Sequence, residues 1–176
     1  MIPPYSKNRV IGLLGGSFNP AHKAHIYLSL YIMKTLRLDE VWWLVSPQNP
    51  LKSKADMAPY AKRFTFAKKL AKPHPRIRVL DIENRWQSYY TWKTLEHMQR
   101  RFPGTHFVWL MGADNLAQFH KWHKWEQIGI KIPLVIADRA PQTYTARASR
   151  AYSYFSRFLL KNMDIERLKA PPALVF

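Results

Sequence analysis

The chain has 176 residues, an apolar content of 47% and a formal net charge of +17. This length suits one domain with a sizeable core, and no apolar run approaches the ~20 residues that a membrane span needs. Cysteine is absent, which excludes disulfides and thiolate metal sites and leads us to expect a cytoplasmic protein whose basic character suits an anionic partner.

Five short apolar runs follow one another along the chain, separated by segments with helical periodicity. The runs are nearly continuous rather than alternating, which is typical of strands covered on both faces. The predicted strands are 9–16, 40–47, 76–83, 106–113 and 132–139, and the predicted helices between them are 23–37, 58–71, 91–101 and 122–129. A further helical pattern covers 146–162, and "ALVF" at 173–176 indicates the start of a sixth strand.

Strands that alternate with helices predict right-handed crossovers. We therefore expect an α/β fold with a doubly wound, Rossmann-like parallel sheet of five to six strands and helices on both faces. No linker or repeat divides the chain, so residues 1–176 are expected to form a single domain. Ligands of such sheets bind at the carboxyl ends of the strands, which directs attention to the polar segments 15–25, 46–54, 83–94, 112–125 and 138–139.

The first of these segments, "GGSFNPAHKAH" from Gly15, joins a strand to a helix. Two glycines allow a tight turn and close approach to a ligand, and the free N–H groups of a helix start suit phosphate. His22 and His25 are three residues apart, so both rings can lie on one side of the first helical turn. The alternative is structural, with one histidine capping the loop and the other packed. The spacing matches neither the dinucleotide fingerprint nor a P-loop.

This segment resembles the GG-[ST]-F-[ND]-P-x-H-x-[GA]-H signature of nucleotidyltransferases, in the form used by bacterial nicotinate-nucleotide adenylyltransferases. Ala24 stands where glycine is usual. "WWLVSPQNPLK", "YAKRFTFAKKLA", "ENRWQSYYTWKTLEHM" and "WLMGADNLAQFHKWHKWEQI" are similar to further motifs of that family, and the last is the most specific of them. The family's I-S-[SA]-T-x-I-R motif, which helps to hold ATP phosphates, has no counterpart before Phe176, so we expect the domain to lack this C-terminal ATP-binding motif.

The resemblance implies adenylyl transfer from ATP to nicotinate mononucleotide, a step of NAD biosynthesis, with Mg²⁺ bound through the ATP phosphates rather than by protein ligands. It assigns the catalytic contacts with the α- and β-phosphates to His22 and His25. It further implies that ATP and its phosphates are bound by Gly15, Gly16, Ser17, Phe18, Lys23, Asp114 and Arg139. The mononucleotide is expected to be bound by Lys52, Thr91, Trp122 and His123.

Several of these residues have a second interpretation. Lys23 could equally point to solvent, Asp114 could hold its own loop instead of a ribose, and Arg139 could be an exposed charge. Trp122 could pack in the core instead of stacking on the pyridine ring, and packing is the favoured interpretation of Trp125.

Two other functions fit parts of the sequence. The first is a related adenylyltransferase that acts on nicotinamide mononucleotide or phosphopantetheine. The second is a basic nucleic-acid-binding module, because the pattern at 146–162 mixes arginines with aromatic residues. Helical spacing places Tyr154, Phe158 and Lys161 on one stripe and Arg150 and Arg157 on another. This favours an aromatic face turned inward and a solvated basic face. We therefore expect small-molecule partners, ATP and the mononucleotide, rather than nucleic acid or a membrane.

Overall fold

The computed structural model describes residues 8–47, 57–137, 142–160 and 166–176. The strands in these ranges are β1 (Val10–Gly16), β2 (Glu40–Val45), β3 (Ile77–Leu80), β4 (His106–Gly112), β5 (Leu134–Ala137) and β6 (Leu174–Val175). The α-helices are α1 (Lys23–Thr35), α2 (Tyr60–Ala71), α3 (Ile82–Arg85), α4 (Thr91–Arg101), α5 (Ala113–Gln118), α6 (Trp125–Lys131), α7 (Gln142–Arg147) and α8 (Arg150–Phe155). Short 3₁₀ turns cover Phe119–Lys121, Ser156–Phe158 and Arg167–Lys169.

The described strands form one parallel sheet of six strands in the order β3-β2-β1-β4-β5-β6. This confirms the predicted α/β, doubly wound, Rossmann-like architecture. The chain first winds outward from β1 through β2 to β3, and then crosses back to β4 on the other side of β1. The strand order therefore reverses between β1 and β4, and the carboxyl ends of these two strands flank the crevice where such sheets bind ligands.

Both faces of the sheet are covered, which explains why its strands are continuously apolar. In β1, Ile11 and Leu13 belong to the core cluster that includes residues of α4, α5, α6 and α8. Val10 and Leu14 belong to the cluster on the opposite face, with residues of α1 and α2. Among the described residues, no helix is apolar over a length that could cross a bilayer.

Two helical predictions differ from the structure. The helix predicted at 122–129 begins three residues later, because Trp122 has extended backbone (φ −76°, ψ 141°) and Lys124 is left-handed (φ 54°). The long pattern at 146–162 is divided at Ser149, whose hydroxyl oxygen accepts a hydrogen bond from the Tyr152 N–H at 3.2 Å and begins α8. A serine that caps a helix in this way ends the preceding periodicity.

The aromatic residues of the C-terminal region face the core. Phe155 is fully buried, and Tyr152, Tyr154 and Phe158 pack against the same cluster. The Arg157 guanidinium lies 4.5 Å from the centre of the Tyr154 ring. This arrangement confirms the inward aromatic face predicted for this segment.

Candidate active site

A cleft of about 760 Å³ opens at the carboxyl ends of β1 and β4, next to the point where the strand order reverses. Ten of the residues selected from the sequence line this cleft: Gly15, Gly16, Ser17, Phe18, His22, His25, Thr91, Asp114, Trp122 and His123. They come from the stretch between the end of β1 and the first turn of α1, from the start of α4 and from the segment after β4. The fold thus brings three distant stretches of sequence to one cavity, as expected for the ends of parallel strands.

The two histidines lie against each other at the start of α1. Their ring centroids are 4.0 Å apart, with 46° between the ring planes. The backbone N–H of His22, the residue that precedes the helix, donates to Nδ1 of His25 at 3.2 Å. A neutral His25 that accepts at Nδ1 carries its proton on Nε2. The pair therefore combines a helix start with an imidazole whose N–H group is defined, which suits an anionic ligand.

A buried aromatic stack holds this histidine pair in place. Phe18 is only 2% exposed, and its ring stacks on Trp43 of β2 at 5.0 Å and contacts the His25 ring at 4.9 Å. The Trp43 indole N–H donates to the Ser29 hydroxyl at 2.9 Å, and that hydroxyl donates to the His25 carbonyl at 2.7 Å. The side chain of Phe18 is thus a structural support, and only its backbone is available for a phosphate.

The sequence did not reveal which groups Arg63 contacts. This residue lies on α2, is 3% exposed, and donates hydrogen bonds to the backbone carbonyls of four residues, which are Ser17, Ser46, Pro47 and Ala58. Ser17 and Ser46 line the cleft. Burial lowers the pKa of the Arg63 guanidinium, yet an arginine stays protonated in a protein. Its fixed donor geometry therefore ties the loop after β1 to the loop after β2.

Gly15 has a steric reason to be glycine. A Cβ atom there would lie 2.5 Å from Cη2 of Trp109, a β4 side chain that is 1% exposed and lines the cleft. Trp109 also contacts the Trp122 ring edge-on, with centroids 6.2 Å apart and 83° between the planes. Trp109 therefore packs between Gly15 and the Trp122 ring.

Part of the cleft lining is aromatic and includes Tyr90, Trp122 and His123. Trp122 is partly buried and also packs edge-on against Phe119, with ring centroids 5.2 Å apart. The His123 ring lies 4.9 Å from the Tyr90 ring, at the start of α4 where Thr91 begins the helix. Trp125 is buried in the core, which confirms its predicted packing role.

A buried carboxyl group also lines the cleft, and only its place after β3 pointed to it in the sequence. Glu83 is 6% exposed and accepts a hydrogen bond from the Thr94 hydroxyl at 3.1 Å, while that hydroxyl also contacts the Ser88 hydroxyl at 2.9 Å. Burial raises the pKa of the Glu83 carboxyl to about 7, and the Thr94 hydrogen bond opposes this shift. Perturbed carboxyl groups of this kind concentrate in functional clefts.

The remaining predicted residues have different positions. Asp114 lies exposed in the first turn of α5, and its Oδ1 occupies the space next to Gly112 that a Cβ would enter. Lys23 is exposed and is not among the residues that line the cleft. Lys52 and Arg139 lie outside the described residues. Within the described ranges, no three His, Asp or Glu side chains are grouped in a way that could hold a metal ion.

Known proteins resemble this chain in sequence and in fold. The model of the "Cytidylyltransferase-like" family matches residues 13–166. A protein of Bradyrhizobium sp. (strain BTAi1) named as a probable nicotinate-nucleotide adenylyltransferase is 45% identical over 168 residues, which cover 94% of this chain and 87% of that protein. A protein of Cereibacter sphaeroides (strain ATCC 17025) with the same name is 45% identical, covering 95% and 89%.

A solved structure shows the same fold at low sequence identity. It is the Plasmodium falciparum nicotinic acid mononucleotide adenylyltransferase complexed with NaAD. The TM-score is 0.66 and the identity is 18%, with 92% of this chain and 89% of that chain covered.

Proposed function

This chain belongs to the cytidylyltransferase-like family and, within it, to the nicotinate-nucleotide adenylyltransferases, and we propose that it joins ATP and nicotinate mononucleotide to form nicotinate adenine dinucleotide and pyrophosphate. The observation that supports this most strongly is the paired His22 and His25 at a helix start, in a cleft that is also lined by aromatic residues. The histidine pair suits a triphosphate, and the aromatic lining suits a flat pyridine ring.

The proposed reaction is an in-line displacement at the α-phosphorus of ATP. A phosphate oxygen of the mononucleotide attacks this phosphorus, and the bond to the oxygen of the leaving pyrophosphate breaks. The attacking oxygen is already anionic, so no side chain has to remove a proton from it. The protein has to align the reactants and neutralise charge on the phosphoryl oxygens.

The site supplies such groups at the histidine pair. His22 and His25 are proposed to contact the α- and β-phosphates, together with backbone amides of Gly15, Gly16, Ser17 and Phe18. Arg63 keeps Ser17 in position through its carbonyl. Asp114 is proposed to accept hydrogen bonds from a ribose. Lys23 and Arg139 stay predictions that rest on the family resemblance.

The aromatic lining of the cleft is proposed to bind the mononucleotide. Trp122 would stack on the pyridine ring, where its edge contacts with Trp109 and Phe119 restrict its orientation. Thr91 and the backbone near His123 would bind the ring carboxylate, because a helix start favours negative charge. The binding of nicotinate mononucleotide by Lys52 stays a prediction that rests on the family resemblance.

Magnesium is proposed to enter with ATP and to be held by phosphate oxygens and water. The described residues provide no three-ligand group, and Mg²⁺ in nucleotide sites keeps several waters and binds substrate phosphates. When bound, the ion would withdraw charge from the phosphates and orient the leaving pyrophosphate. His22 and His25 would then contact phosphate oxygens directly.

A substrate comparison tests this function. The chain is incubated with ATP and Mg²⁺ and with nicotinate mononucleotide, nicotinamide mononucleotide or phosphopantetheine, and dinucleotide product and pyrophosphate are measured. We expect the highest kcat/KM for nicotinate mononucleotide. A higher kcat/KM for either other acceptor would assign the chain a different substrate. Absence of turnover with all three, in a chain that remains folded by circular dichroism, would refute the proposal.

A further inference from the structure

A lysine ammonium lies over a tryptophan ring, and each of the two residues is next in sequence to a residue that lines the cleft. The Lys124 Nζ is 3.7 Å from the centroid of the Trp92 ring. Trp92 lies in the first turn of α4, next to Thr91, and Lys124 directly follows His123. We propose that this pair, the Lys124–Trp92 latch, is a positioning device that holds His123 and Trp122 in place for the mononucleotide. This inference rests on the proposed function.

The backbone at Lys124 has an unusual conformation. Its φ of 54° and ψ of 37° lie in the left-handed region, which side chains other than glycine adopt infrequently. The reversal separates the extended Trp122 from the start of α6. The chain therefore bends sharply at Lys124, and the ammonium of this residue reaches the start of α4.

The contact is favourable because an indole face attracts a cation, more strongly when the pair is partly desolvated. Trp92 is partly buried and packs against the core cluster that includes Leu95 and Met98 of its own helix. The ring thus provides a fixed base, while Lys124 is exposed and belongs to the less regular segment. Loss of the cation would free the segment and leave the ring in place.

His123 transmits this restraint to the cleft. Its ring lies 4.9 Å from Tyr90 and 6.0 Å from Trp92, so it contacts both residues that flank Thr91. Tyr90, Thr91, Trp122 and His123 line the cleft. The latch therefore sets the distance between the start of α4 and the segment at 122–123, and the pyridine ring is proposed to bind between these two parts of the chain. The phosphate loop at 15–18 is held by other contacts, from Trp109, Trp43 and Arg63.

Steady-state kinetics of three variants test the latch. Lys124→Met keeps the length of the side chain and removes the charge, Lys124→Arg keeps the charge, and Lys69→Met removes an exposed lysine elsewhere on the surface. We expect Lys124→Met to raise the KM for nicotinate mononucleotide roughly five-fold, as loss of one cation–π contact implies, with little change in the KM for ATP. Lys124→Arg should restore most of the affinity. Equal KM values in Lys124→Met and Lys69→Met would refute the latch.

Two further measurements separate the latch from the function on which it rests. Hydrogen exchange without substrate should be faster at the amides of residues 122–124 in Lys124→Met than in Lys69→Met, and unchanged exchange would contradict the latch whatever the substrate. In a double-mutant cycle, Lys124→Met combined with Trp92→Leu should be no worse than the more damaging single variant. Fully additive effects on KM would show that the two residues act independently and would overturn the proposal.

Discussion

Gly15→Ala is expected to destabilise the protein through a single steric conflict. The new Cβ would lie 2.5 Å from Cη2 and 2.7 Å from Cζ2 of Trp109. Trp109 is 1% exposed and contacts Trp122, and the glycine itself is paired with Leu44 of β2. Neither partner can move without disturbing others, so we expect a loss of about 1–3 kcal/mol in the free energy of unfolding, the usual result of overpacking a core.

Gly16→Ala is the matched control for this prediction. A Cβ at Gly16 would meet the Phe18 ring at 3.6 Å, an ordinary van der Waals distance, and the residue lies in the same strand. Urea titrations of both variants would give the comparison, and a loss of 2 kcal/mol should lower Tm by about 4–8 °C in a chain of this size. Equal stability of Gly15→Ala and Gly16→Ala would refute the proposed packing of the glycine against Trp109.

Three further substitutions test other parts of the site. Arg63→Lys should lower the free energy of unfolding by about 2–4 kcal/mol in urea titrations, because one ammonium cannot satisfy four buried carbonyls. It should also lower kcat/KM. Wild-type values of both quantities would show that Arg63 does not hold the two loops together. Burial raises the pKa of Glu83 from 4.5 to about 7, so its ionisation destabilises the fold progressively from pH 4.5 upward and fully above pH 7, by about 3 kcal/mol. Glu83→Gln should therefore gain about 2–3 kcal/mol more over the wild type at pH 8 than at pH 5, and a pH-independent difference would count against the buried carboxyl. Trp122→Ala should raise the KM for nicotinate mononucleotide about 5- to 150-fold, since aromatic stacking contributes about 1–3 kcal/mol; an unchanged KM would show that Trp122 does not stack on the pyridine ring.

The strands and their arrangement followed from the sequence because burial on both faces leaves continuous apolar runs. Helix boundaries were less predictable where local side chains act against periodicity. Ser149 caps α8 and divides one predicted helix, and the left-handed Lys124 delays the start of α6. Each effect depends on one residue, and the spacing of apolar residues predicts neither of them.

The cleft was predictable because its residues follow the ends of parallel strands, which meet at one edge of the sheet. The contacts of Arg63 and Trp109 were not predictable, and the reason is physical. The hydrogen-bond partners of Arg63 are backbone carbonyls 5 to 46 residues away, and backbone groups have no signature in a sequence. Trp109 leaves no room for a Cβ atom at Gly15 because the two residues pack against each other on neighbouring strands. This steric requirement can be recognised only once the strand register is known.

The proposed reaction requires that the paired histidines act on the triphosphate while the attacking oxygen needs no base. Single-turnover formation of nicotinate adenine dinucleotide by His22→Ala is the sharpest test of this requirement, with His74→Ala, at a loop histidine after α2, as the control. We expect the rate constant to fall about 10²- to 10³-fold, as for loss of a preorganised donor to the transition state, while the Kd for ATP changes little. A rate constant equal to that of His74→Ala would show that His22 takes no part in the chemical step.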